Sequence, residues 1–379
     1  MTVTTRLDHV CDIIMGQAPS GEAYNSDQEG WPLIAGAGDF GEQYPAAKKF
    51  TTEASKLSQR GDIILGIRAT IGEKVLSDGT YCLGRGVAGL RAHPNLAPNY
   101  LWHWLSHIRP FLASKAKGAT FKQVNRQDIG ELEIQLPPLA DQRRIAEILD
   151  RAEALRAKRR AALAQLDTLT QAIFLALFGD PTMNSRKWPM HPFGEICESR
   201  LGKMLDQKQQ TGKNLRPYLR NANVQWFQFD LTNIFEMDFD ASDREEFRLK
   251  EGDLLICEGG EPGRAAIWRE QLSECYYQKA LHRARPKKDL ANPEYLAWLL
   301  FFLADMGGLG DHVTSATIAH LTGEKLKVMR IPLPPLPLQH EFARRVAAVE
   351  KLKAAHRASV AEMDALFTSL QHRAFRGEL

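Results

Sequence analysis

The residues able to do chemistry fall in a few tight clusters. Gly36-Ala-Gly-Asp-Phe-Gly41 follows an apolar run, Trp31-Pro-Leu-Ile34, and spells G-x-G-x-x-G, the spacing that lets backbone amides approach a pyrophosphate. That chemistry needs a helix to open at the last glycine, and Pro45 interrupts within four residues, so a plain loop is expected. Asn292-Pro-Glu-Tyr295 approaches the Asn-Pro-Pro-Tyr/Phe arrangement that holds a flipped adenine, but it lacks the second proline. Asn292 reads better as a helix N-cap with Pro293 in the first turn. The five cysteines, Cys11, Cys82, Cys197, Cys257 and Cys275, form no C-x-x-C pair, which argues against a zinc site and a disulfide framework. No P-loop and no H-E-x-x-H pair occurs, and neither a catalytic residue nor a metal ligand set is expected.

Basic and amide side chains are more informative. From Arg109 to Arg126 the cations Lys115, Lys117 and Lys122 have no acidic residue among them, and Thr120, Gln123 and Asn125 add hydrogen-bonding groups. Such a run suits phosphate oxygens and base edges. Arg200, Lys203, Lys208, Lys213, Arg216 and Arg220 face only Asp206, and lead into Asn221-Ala-Asn-Val-Gln225. Amides at Asn221, Asn223 and Gln225 match the donor–acceptor edge of adenine. A third acid-free run spans Lys279–Lys288, while Arg68, Arg264 and Thr317 are further candidates. Each run also fits a solvated face, the third more so than the first two.

What must position these groups is a duplicated chain. Ile134-Gln-Leu-Pro-Pro-Leu139 returns as Ile331-Pro-Leu-Pro-Pro-Leu336, an offset of 197, and Gln142 then meets Gln339. The offset is 195 at Pro98 and Pro293, 191 where Gly61-Asp-Ile-Ile-Leu65 meets Gly252-Asp-Leu-Leu-Ile256, and 186 at Cys11 and Cys197. Ordered landmarks with a drifting offset mean one fold used twice, with loop insertions.

Each copy ends in a long helix. In the first, Ile145, Leu149, Ala152, Leu155, Leu166, Leu169 and Ile173 repeat at spacings of three and four. In the second, Phe342, Val346, Val349, Leu352, Met363, Leu366 and Leu370 do the same. A helix of about 38 residues would be roughly 57 Å long, too long for a small domain to bury its stripe, so the two are expected to pair. Arg159 and His356 interrupt the stripes at one phase and suit either a solvated gap or a register lock.

The 379 residues carry a net charge of only +3, which excludes a uniformly basic coat and leaves a local patch for any nucleic acid. No run approaches the roughly 20 consecutive apolar residues of a membrane helix, and the N-terminus has no export-type apolar segment, so no membrane role and a cytoplasmic location are expected.

Together these features resemble the specificity subunit of a Type I restriction-modification enzyme. The resemblance rests on the two Leu-Pro-Pro-Leu-x-x-Gln starts, the long helices and the paired Gly-Asp landmarks, and it spans essentially the whole chain. It implies a mixed α/β (α+β) fold with two similar target-recognition domains, 1–135 and 181–332. The central helix, 136–180, and the C-terminal one, 333–379, would pack antiparallel as a coiled coil in a pseudo-two-fold repeat. It implies a non-catalytic chain in which each domain reads half of a bipartite, asymmetric target on double-stranded DNA. The helices would set the spacing and dock two methyltransferase subunits, which restriction/translocase subunits can join. S-adenosylmethionine, ATP and magnesium would belong to those partners. A coiled-coil scaffold that does not read DNA is the competing reading.

Overall fold

The computed structural model describes residues 3–118, 122–206, 210–310 and 320–379. The chain forms two compact units, 1–161 with 356–379, and 162–355. Each long helix thus gives one half to each unit.

In the first unit, β1 (Val3–Arg6), β2 (Cys11–Met15), β3 (Ile63–Gly66), β4 (Lys74–Leu76) and β5 (Val87–Ala92) precede α1 (Pro98–Ser114). Then come β6 (Glu133–Leu136) and α2 (Leu139–Phe178). The main sheet is antiparallel in the order β2-β5-β3-β4, with Cys11 opposite Ala92 and Ile63 opposite both Leu90 and Leu76. Ile63 and Leu65 pack with Tyr100, Leu101 and Trp104 on one face, while Ile64 joins Ile34, Leu83 and Val87 on the other. A strand covered on both faces needs no polar alternation, which explains the unbroken apolar run. β1 pairs with β6, and a short strand, Trp31–Ile34, runs parallel to Cys82–Leu83.

The second unit repeats this plan with β7 (Met190–Pro192), β8 (Cys197–Leu201), β9 (Leu254–Cys257), β10 (Ala265–Ile267) and β11 (Leu281–Pro286). α3 (Pro293–Asp305), β12 (Arg330–Pro332) and α4 (Leu336–Ala374) follow. The sheet order is β8-β11-β9-β10, β7 pairs with β12, and Leu215–Leu219 runs parallel to Tyr276–Tyr277.

The repeated landmarks hold each copy together. Gly61 and Gly252 turn at φ +92° and +86°, conformations natural to glycine. The next residues, Asp62 and Asp253, are buried and pair with Arg91 and Arg285 on the neighbouring strand at 2.8 and 2.7 Å. The Pro-Pro motifs aim a glutamine inward. Gln142 Oε1 accepts the Ala97 N–H at 2.8 Å, and its Nε2 donates to the carbonyls of Asn95 and Pro137. Gln339 repeats this with the Asn292 N–H and the carbonyls of Leu290 and Pro334. Both amides satisfy backbone groups at the start of a helix that cannot satisfy themselves.

The long helices are antiparallel within each unit. In the first, Arg156 Nε meets Asp364 at 2.6 Å, and Arg159, one turn on, meets His356, two turns back. In the second, Asp167 meets Lys353 at 3.0 Å, and Phe174 packs on Phe342. Ile145, Leu149, Phe342, Val346 and Val349 are buried in the seam; Ala152, Leu166, Ile173, Met363 and Leu370 are partly so. Four expected seam residues are not in it. Leu155, Leu169, Leu352 and Leu366 are 56, 41, 51 and 58 % exposed. One residue is a rotation of about 100°, and the seam instead takes Arg156, Thr170, Lys353 and Phe367. The aliphatic stems of Arg156 and Lys353 fill it while their heads reach carboxylates.

Among the described residues one helix, α2, is long and apolar enough to cross a membrane by length and composition. Its Phe174 and Phe178 lie in the second unit's core.

Candidate nucleic-acid interface

In the first unit the basic residues converge on the turn after β3. The backbone at Arg68 pairs with Gln123, and Gln123 pairs on its other side with Lys117. Two 3.0 Å backbone bonds join Lys117 and Gln123, and the Val124 N–H donates to the Ile67 carbonyl at 3.1 Å. Directly opposite residues on paired strands share a face, so Arg68, Gln123 and Lys117 form one row. Among the described residues, Arg68, Lys115, Lys117, Lys122 and Arg126 make no ion pair, so these cations keep their charge uncompensated. Lys115 lies over the Phe111 ring at 5.0 Å. Asn125 is less available: its Oδ1 accepts the Asp128 N–H in a capping box that starts the helix Arg126–Gly130.

The second unit has the same backbone corner with different side chains. Gly259 pairs with His320, and the Leu321 N–H donates to the Glu258 carbonyl at 2.7 Å. Gly259 stands 191 residues after Arg68, and His320 stands 197 after Gln123, the same offsets as the flanking landmarks. Gly259 and His320 were not singled out from charge and amide content; carrying those offsets across the chain would have found them.

Much of the second unit's polar run holds the fold. Lys203 donates to the Asp238 carbonyl at 2.7 Å, pairs with Asp243 and lies over the Phe239 ring. Asn223 is buried, donating to the carbonyls of Asp230 and Asn233 and accepting the Arg220 N–H. Asn221 donates to the Gly259 carbonyl at 2.8 Å, and Gln225 to that of Ala222. These amides close a turn. Arg216 pairs with Glu274, and Arg220 stacks 3.5 Å over the Phe235 ring, while Lys213 is exposed. Thr120, Lys208 and Thr317 lie outside the described residues.

Gly36–Gly41 is a loop with a three-residue 3-10 turn, Ala37–Asp39, whose Asp39 carboxylate accepts the Ala35 N–H; no α-helix N-terminus follows. Asn292 caps α3 through the Glu294 N–H. All five cysteines are buried and unpaired; burial pushes Cys11, Cys197 and Cys275 up to about 12 and Cys257 to about 11, far from thiolate reactivity. Among the described residues no group of three or more His, Cys, Asp or Glu is placed to hold a metal.

The family model for the Type I restriction modification DNA specificity domain matches twice, over residues 2–165 and 185–362. The chain belongs to this family. As a type I specificity subunit it carries two DNA specificity domains, and the reading as a scaffold indifferent to DNA is not favoured. The EcoKI specificity subunit of Escherichia coli K12 is 25% identical over 366 residues, covering 88% of this chain and 77% of that one. The MjaX specificity subunit of Methanocaldococcus jannaschii is 32% identical over 162 residues, 42% of this chain and 38% of that one. Two solved structures share the subunit's fold. One, concerning complex assembly and conformational transition of the type I R-M system, gives a TM-score of 0.68 at 20% identity, covering 100% of this chain and 98% of that one. The M. genitalium S subunit gives 0.59 at 14%, covering 99% and 96%.

Proposed function

We propose that this chain is the sequence-reading, non-catalytic subunit of a type I restriction-modification assembly acting in the cytoplasm. Each unit reads one half of a bipartite, asymmetric target on double-stranded DNA. The long helices set the spacing and dock two methyltransferase subunits, which a restriction/translocase subunit joins. S-adenosylmethionine, ATP and magnesium are bound by those partners.

The observation that carries this reading is the duplicated corner. One backbone arrangement occurs in both units at repeat-matched positions, with Arg68 and Gln123 in one and Gly259 and His320 in the other. A shared frame with divergent side chains is what reading two unlike half-sites requires. The test is reconstitution. The purified chain alone is expected to give no methyl transfer, and addition of the matching modification subunit is expected to yield methylation at one bipartite sequence. Methylation by the chain alone would overturn the non-catalytic assignment. DNA affinity that is flat with salt would overturn DNA reading, because phosphate contacts release counterions.

A further inference from the structure

We propose that Arg68 and Gln123 are the base-reading pair of the first unit, with Arg68 reading a guanine. The inference rests on the DNA-specificity reading above. It starts from backbone geometry. The turn that presents Arg68 continues through Ala69 at φ +49°, a left-handed conformation that side-chain-bearing residues adopt at a cost. The matching residue of the second unit is Gly260, at φ +75°, so the turn itself calls for this conformation and the first unit keeps it without glycine.

The pairing of Arg68 with Gln123, and of Gln123 with Lys117, sets a guanidinium, an amide and an ammonium side by side. They differ in freedom. Arg68 is half-buried and its Nε is buried without a hydrogen-bond partner, whereas Gln123, Lys117 and Lys122 are exposed. A planar fork rooted at its base and free of any carboxylate suits bidentate donation to guanine O6 and N7. The adjacent amide suits the neighbouring base, and the free ammonium groups suit phosphates. The second unit holds the same backbone bridge with Gly259 and His320, which lack the fork. The two half-sites should therefore differ at this position.

The test is selection of bound duplexes from a randomised library by the full chain in its native complex, with Arg68→Ala and Arg68→Lys beside the unmodified protein. At one position of one half-site the preference for a G·C pair is expected to fall about ten-fold or more in both variants, since Lys keeps the charge but loses the fork. The rest of that half-site and all of the other should persist, which also reports that the variant has folded. A uniform loss of affinity with both half-site sequences intact would make Arg68 a phosphate contact and overturn the proposal. So would unchanged selection, or loss of the whole first half-site in both variants. If the unmodified chain selects no sequence, the functional reading fails first; if it selects a bipartite target that Arg68→Ala preserves, only this inference falls.

Discussion

At the scale of single residues, partners separate cations that hold the fold from cations free for a ligand. Lys122 makes no ion pair among the described residues, whereas Lys203 is tied to Asp238 and Asp243. Lys122→Ala should lower affinity for all duplexes alike and reduce the salt slope by about one. Lys203→Met should instead lower the melting temperature and leave that slope unchanged; titrating DNA binding against salt beside thermal melts checks both. The sequence could not make this distinction, because an acid-free run looks the same whether its partners arrive from distant strands or not at all. Lys203 finds its carboxylate 40 residues away. A second residue-scale prediction concerns Lys74, which is packed over the Trp102 ring and donates to Ser106. Burial lowers it to about 8 from an ordinary value near 10.5. The folded state then binds fewer protons than the unfolded state between those values, so this group disfavours folding below about 8, and stability recovers as pH rises toward 10.5. Lys74→Met should remove that rise, seen as a flatter melting temperature from pH 7 to 9.5 than in the unmodified chain.

At the scale of elements, the two buried glutamines are the joints between each long helix and its unit. Removing Gln142 leaves the Ala97 N–H buried without a partner and two part-buried carbonyls unpaired. Gln142→Ala should therefore cost about 2–4 kcal/mol, and Gln339→Ala should do the same to the second unit, each read by denaturant unfolding. Both joints were legible as the repeated Leu-Pro-Pro-Leu-x-x-Gln, as were both helix starts at Pro98 and Pro293, whereas the order of the strands was not. The helix seam was legible in period, but its phase failed at four positions. Reading apolar residues alone selected Leu155 and Leu352, while the seam passes through their neighbours Arg156 and Lys353. A long cation whose stem is apolar and whose head reaches a carboxylate across the pair outcompetes a leucine one position away. Hydropathy cannot register that choice, because it depends on Asp364 and Asp167 in the facing helix.

At the scale of the whole molecule, duplication makes the two readers exchangeable, and the structure says where an exchange must cut. β1 pairs with β6 as far as Leu136, so an exchanged piece that carries residues 1–138 keeps that pairing whole. Its core is completed by Ile145, Leu149, Phe367 and Phe375 from the long helices, and a donor must present a surface that fits them. Replacing 1–138 by such a donor should change one half of the methylated sequence and leave the other. On the proposed function the spacing between halves is a separate property set by the long helices, which pair through Arg156 with Asp364 in one unit and Lys353 with Asp167 in the other. Seven residues inserted between Ala161 and Ala162 alone would leave α2 a heptad longer than its partner. Seven inserted there and seven between Ala355 and His356 keep the two helices matched and the seam in phase, and lengthen each helix by about 10 Å. With about 3.4 Å per base pair, the matched double insertion should change the preferred gap by about three base pairs while both half-site sequences persist, and the single insertion should abolish bipartite recognition. Mapping methylated bases in cells that carry the reconstituted complex reads both outcomes. An unchanged gap in the matched insertion would show that something other than these helices sets the distance.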